Sequence, residues 1–243
     1  MILRQTAAIL AASFALLCAS TAHAVSNGSF ELGGGWLFAG DASLQGNVLG
    51  YTPTDGANMA FLTTIVAASD PFGPTSGVDA TNAAAMELTL GLAPGTIQSP
   101  APTSAAGREG SMIWQTFTAV SASILSIDWN LFSMEPSGAT VEDDFVFITL
   151  SGVSNASPGS VFTTTLTPTP SPFVDASGWV TTQLPILAGV YTFGIGVFDA
   201  GNDTDPSALS IDNVRLIPNP EPGTALLVGI GLLGLAIYGR RRG

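Results

Sequence analysis

The chain has 243 residues, eighteen Asp and Glu against six basic residues, one His, one Cys and a formal net charge of −12. All six bases are arginines (Arg4, Arg108, Arg215, Arg240, Arg241 and Arg242), which excludes Schiff-base, Ser-Lys and P-loop chemistry, since each needs a lysine. Only 10% of residues are charged and 46% are apolar, a balance that packs a core instead of remaining disordered.

Residues 1–24 read as a signal peptide. Arg4 supplies the early cation, Ala7–Ala19 the apolar run and Ala22-His23-Ala24 the small-residue cleavage box, so Val25 is expected as the mature N-terminus. Cleavage there removes both Cys18 and His23. Without imidazole or thiol, the exported chain is excluded from Ser-His-Asp and Cys-His catalysis, His or Cys zinc sites, disulfides and covalent haem. From Val25 to Pro218 seventeen acids face two bases, a net charge near −15. Such a surface repels nucleic acid and anionic lipid and attracts divalent cations.

From Val25 the pattern has period two, punctuated by Gly, Pro, Asn, Asp and Ser. Asn58–Ala67, Ala83–Gly91, Gly110–Ala119, Ser123–Met134, Asp143–Gly152, Val190–Ala200 and Ala208–Ile217 are predicted strands, and no amphipathic helix is expected between them. Ser69–Asn82 and Ala93–Gly110 read as loops, and Thr167–Pro172 as an extended semi-rigid stretch. Many short strands without β-α alternation or a fixed repeat predict an all-β fold: a single antiparallel, jelly-roll-like β-sandwich over 25–217.

Residues 218–243 differ in kind. Pro220-Glu221-Pro222 precedes fourteen uncharged residues, Ala225–Tyr238, and then Arg240–Arg242. As a helix that run reaches only ~21 Å against a hydrocarbon core of ~30 Å. Extension through Thr224 and snorkelling arginines make a short transmembrane helix, with the arginines held cytoplasmic. The order Pro-Glu-Pro, apolar run, arginine cluster resembles the PEP-CTERM sorting signal of exported Gram-negative proteins. That resemblance implies export by signal peptidase, transient membrane insertion and an inner-membrane intermediate. Exosortase then delivers the protein to the cell surface or medium, in hosts that make exopolysaccharide.

A looser resemblance covers the body. Asn27–Trp36, Thr54–Leu62 and Ser210–Leu216 are similar to the first and last strands of galactose-binding-like jelly rolls, which include carbohydrate-binding modules. By that likeness the Gly28 carbonyl, Glu31, Asp55 and Asp212 are expected to hold a structural calcium ion, the one cofactor expected; three carboxylates with carbonyls and water suit its six to eight oxygen ligands. Glu142–Asp144 and Asp199–Asp205 are further acidic groups, read as solvated turns because the EF-hand spacing is not met. A glycosidase needs only two carboxylates, and Glu87, Glu109, Asp128 and Glu135 qualify by type, but no motif selects a pair. Trp36 and Trp179 follow glycines near turns and are the expected glycan contacts, whereas Trp114 and Trp129 are assigned to the core. These features predict a non-enzymatic exported protein, a structural or adhesive component of an exopolysaccharide or biofilm surface. The alternative is a calcium-dependent carbohydrate-binding protein, and third a carboxylate-only glycoside hydrolase.

Overall fold

The computed structural model describes residues 25–68, 74–97, 107–134, 144–152, 160–161, 167–168, 175–200, 205–219 and 231. The signal peptide and nearly all of the sorting segment lie outside these. Among the described residues no helix is long and apolar enough to cross a membrane.

The body is an antiparallel β-sandwich. One sheet holds five strands in the order β1 (Leu37–Ala39), β4 (Gly107–Ala119), β11 (Gly189–Ala200), β6 (Phe145–Gly152) and β7 (Ser160–Val161). The other runs β2 (Asp41–Gln45), β3 (Met59–Thr63), β12 (Ser207–Pro218), β5 (Ser123–Ser133), β9 (Asp175–Ala176) and β8 (Thr167–Pro168), with β10 (Val180–Ile186) also paired to β5. The chain changes sheet between β4 and β5, β5 and β6, β10 and β11, and β11 and β12, as in a jelly roll. Alternation along each strand then sends every second residue into the gap between the sheets. Ile113, Phe117, Phe193 and Ile195 from the first sheet meet Leu125, Ile127, Trp129, Leu209 and Ile211 from the second in one core.

Six of the seven predicted strands are present. The exception is Ala83–Gly91, where Ala83–Leu90 is an α-helix, α1. Local chemistry explains the correction. The Asn82 side chain caps the start by accepting the Ala85 N–H, and Gly91, left-handed at φ 68°, ends it with its N–H on the Glu87 and Leu88 carbonyls. Ala83, Met86, Glu87 and Leu90 recur at helical spacing and are buried. They lie on the outer face of the five-stranded sheet, in a second apolar cluster with Ile97, Met112, Phe145, Phe147 and Phe198. The short strands β1 and β2 and the longer β10 were not foreseen. Their burial patterns carry too little apolar alternation, β10 interleaving Thr181, Gln183 and Pro185 with half-buried residues.

Two glycines mark close approaches on which this packing depends. A Cβ on Gly28 would stand 1.7 Å from the Val214 carbonyl oxygen, because the N-terminal segment runs directly against β12. A Cβ on Gly196, in β11, would stand 2.4 Å from the Ser111 carbonyl oxygen and 2.5 Å from the Phe147 ring. Neither neighbour has room to retreat. Gly196→Ala is therefore expected to lower unfolding free energy by about 1–3 kcal/mol through overpacking. Chemical denaturation checks this, with an alanine at the open Gly33 as the control that changes little.

Candidate functional site

Of the residues expected to bind calcium, Glu31 and Asp212 reach the turn Thr54–Asn58 that contains Asp55. Gly28 belongs to the N-terminal segment, and its carbonyl accepts the Val214 N–H at 2.9 Å. Glu31 is exposed, yet its Oε1 accepts the N–H groups of Ala57 (2.7 Å) and Asn58 (2.8 Å), and its Oε2 accepts the Asn58 amide at 3.2 Å. These donors, Ala57 first, hold its carboxyl below the ordinary glutamate value of 4.5. From the other side, Asp212 Oδ2 accepts the N–H groups of Thr54 (2.6 Å) and Asp55 (2.7 Å), while Oδ1 accepts that of Asn213 (2.7 Å). Asp55 itself is exposed and supplies backbone N–H to the clamp. Glu31 and Asp212 thus clamp the turn that contains Asp55 from two sides, while Gly28 is tied to Val214, and the oxygens of Gly28, Glu31 and Asp212 are already engaged by N–H donors. Among the described residues no group of three or more His, Cys, Asp or Glu is placed to hold a metal ion.

Asp212 has a neighbour that spacing did not indicate. It lies directly opposite Asp128 in the β12–β5 register, on the outer face of the seven-stranded sheet. Like charges in that relation repel. Hydroxyl and amide donors, not a cation, separate them: Thr54 Oγ1 donates to Asp128 Oδ2 (2.9 Å), the Asn213 amide donates to the same oxygen (2.8 Å), and Thr181 donates to Oδ1 (2.6 Å). Asn213 reaches this position because the register shifts between Asp212 and Arg215 and its own φ is +52°. Asp212 is fully buried, and that burial pushes its carboxyl above the ordinary 3.8, outweighing the backbone donors that favour the anion. One register step along, Ser210 faces Asn130; both are fully buried, and Ser210 Oγ and Asn130 Nδ2 have no protein partner. A polar strip therefore runs beneath the 52–58 turn.

Of the candidate hydrolytic acids, Glu87 and Asp128 stand on opposite outer faces of the sandwich. Glu87 lies on α1, over the outer face of the five-stranded sheet, where its carboxylate accepts the Gly95 and Ile97 N–H groups, both at 2.8 Å. Asp128 is on the opposite outside of the sandwich. Glu109 belongs to β4, and Glu135 lies outside the described residues, as do Glu142 and Asp143.

Of the expected glycan contacts, Trp36 needs correcting. It is 5% exposed, stacked on Phe30 at 5.3 Å and edge-on to Phe193 at 6.0 Å, with its indole N–H on the Asn27 carbonyl (2.9 Å). The glycines before it fold the N-terminal segment back over the ring, so they bury it instead of exposing it. Trp179 is half-buried and donates to the Thr52 carbonyl at 3.1 Å, bracing the stretch that leads into the 54–58 turn. Trp129 is in the core as expected, but Trp114 is half-buried on the outer face of β4, beside α1. A groove of about 240 Å³ also lies near β1 and β2. Its rim of Leu32, Phe38 and Leu44 is apolar, and the Asn27 amide there is engaged by Leu32 and Gly34.

Residues 220–242 match the model of the PEP-CTERM protein-sorting motif. No curated protein matches the chain. Among solved structures the chain is similar to a carbohydrate-binding module, TmCBM61, in complex with β-1,4-galactotriose, at a TM-score of 0.40 and 10% identity over 82% of this chain and 100% of that one.

The two clamp carboxylates make opposite contributions in acid. Glu31, with its pKa lowered, stabilises the fold above pH 4.5, and this is lost as pH falls through its folded value. Asp212, with its pKa raised, favours the fold below 3.8, and that contribution is lost as pH rises through its folded value. The stability difference between parent and Glu31→Gln is thus expected to grow with pH through the carboxylate range, and that between parent and Asp212→Asn to shrink. Denaturation midpoints across that range give both slopes.

Proposed function

We propose that this protein is exported, presented at the cell surface or in the extracellular matrix through its C-terminal sorting signal, and serves there as a non-catalytic structural or adhesive component associated with extracellular polysaccharide. The observation that carries this reading is the PEP-CTERM motif at residues 220–242, which starts two residues beyond the last strand of a rigid sandwich. Exosortase is the partner the motif implies, after signal peptidase has acted at the other end. The prolines matter physically, because neither is compatible with a helix interior and the enzyme needs a non-helical stretch to read. A body with no lysine and a charge near −15 suits a hydrated, neutral or cation-bridged glycan matrix better than nucleic acid or anionic lipid.

Replacing Glu221 by Ala, or deleting Arg240–Arg242, is expected to hold most of the protein at the inner membrane. Fractionation into membrane, surface and medium checks this; an unchanged distribution after both changes would sink the sorting reading. For the glycan role, Trp179 is the surface aromatic to test. Trp179→Ala is expected to weaken retention on the host polysaccharide by about tenfold, or ~1.4 kcal/mol, with the strand content of its circular dichroism intact.

A second reading, calcium-dependent carbohydrate binding through Gly28, Glu31, Asp55 and Asp212, is favoured by one observation, the approach of Glu31 and Asp212 to the single turn that holds Asp55. Calcium would have to replace N–H donors now engaged by those oxygens. On this reading calcium raises the melting temperature more than magnesium does at matched ionic strength, and Asp212→Ala removes the difference. Equal shifts from the two ions would leave only diffuse screening of an acidic surface.

A further inference from the structure

The two ends of the sandwich differ sharply in charge, and the chain departs toward the sorting signal from the uncharged one. β4 ends at Ala119 and β5 begins at Ser123, so Val120–Ala122 form one tight connection; Leu187 and Ala188 form another between β10 and β11. Both lie at the same end, because Ser123 pairs with Ile186 on one side and Pro218 on the other, while Ala119 pairs with Gly189. The final strand stops there, and the Asn219 N–H donates to the Ala122 carbonyl at 3.0 Å, holding the exit point against the first turn. Val120 is 43% exposed, Leu187 62% and Val190 43%. None of Thr118–Ser123, Ile186–Val190 or Leu216–Asn219 is charged. At the far end of the same strands stand four acids and one base: Arg108 and Glu109 in β4, the buried Asp144 before β6 and Asp199 in β11, and Asp205 before β12.

We infer that this uncharged turn end, centred on Val120, Leu187 and Val190, is a membrane-contact surface that seats the body on the bilayer interface while the sorting segment is inserted. The inference rests on the reading of residues 220–242 as a membrane-inserted sorting signal and adds the face by which the body meets the lipid. Reach decides the occupant. Only Pro220–Thr224 separate Asn219 from the apolar run that begins at Ala225. Five extended residues cover at most about 17 Å, and the polar headgroup zone takes roughly 5–8 Å of that. The body's end therefore stays within ~10 Å of the interface for as long as the segment is inserted. Charge selects the same face. Strands of about twelve residues set the acidic end ~40 Å away, several times the screening length of ~10 Å. Among the described residues an anionic bilayer thus meets three exposed aliphatic side chains and no carboxylate, although the body as a whole carries a charge near −15.

The test uses the full chain with Cys18→Ser and one added cysteine, Leu187→Cys or Val120→Cys, each carrying an environment-sensitive fluorophore, with Asp205→Cys as the far-end reference. The protein is reconstituted with phosphatidylethanolamine–phosphatidylglycerol vesicles and separated by flotation. The expected result is that the chain floats, that the Leu187 and Val120 labels shift to the blue and are quenched by lipids spin-labelled near the headgroup, and that the Asp205 label remains in water. Chain that floats with the Leu187 and Val120 labels still in water overturns this inference and leaves the insertion reading standing. Chain that fails to float overturns both. A blue shift that grows with protein density assigns the face to a second copy, and one that needs the sorting enzyme in the membrane assigns it to that protein; either overturns the lipid contact.

Discussion

A carboxylate taken out of water needs a partner, and this chain has almost no cations to offer one. Between Val25 and Pro218 only Arg108 and Arg215 are basic, against seventeen acids. The structure meets that constraint with backbone amides. Asp41, fully buried in β2, accepts the N–H groups of Thr75 and Ser76 together with the Thr63 and Thr75 hydroxyls. Glu31 takes those of Ala57 and Asn58, Glu87 those of Gly95 and Ile97, and Asp212 those of Thr54, Asp55 and Asn213. Each acid thereby fastens a loop to a strand, helix or neighbouring segment. Several N–H donors on each carboxylate thus do the locking that disulfides or ion pairs perform in other exported domains.

Acids used in this way are held out of other chemistry. A carboxylate oxygen that accepts two N–H groups at 2.6–2.8 Å is a crowded metal ligand. The same economy sorts the charges along the sandwich. Clamping acids sit where loops cross the strands, further acids gather at the end remote from Asn219, and the end that leads to the sorting signal carries none.

Much of the architecture was legible in the sequence because burial on one face writes period two into a strand. Ser123–Ser133 and Gly189–Ala200 are long and alternate regularly, and they were found nearly to their ends. The helix at Ala83–Leu90 was misread because Met, Leu and Ala at alternate positions also satisfy a strand pattern over eight residues. Its Asn82 cap and Gly91 stop were the signals that separate the two, and both stood in the sequence. β1 and β2 were missed for a different reason. They are three and five residues long, and their exposed Leu37, Phe38 and Leu44 give no alternation to read.

Composition alone removed lysine chemistry and left residues 25–219 without Cys or His, and the order of residues alone marked the sorting motif at 220–242, because both depend only on which side chains exist and in what order. Which acids face one another depended on register and loop placement, which no local pattern records. Asp128 and Asp212 are 84 positions apart and meet only because β5 and β12 pair residue for residue. Trp36 looked like a surface ring in its glycine-rich setting and became core when the nearby Phe30 and, from a distant strand, Phe193 closed on it. The uncharged end was equally invisible along the chain. Val120, Leu187 and Asn219 become neighbours only when three strand ends come to the same edge of the sandwich, and long-range pairing alone puts them there.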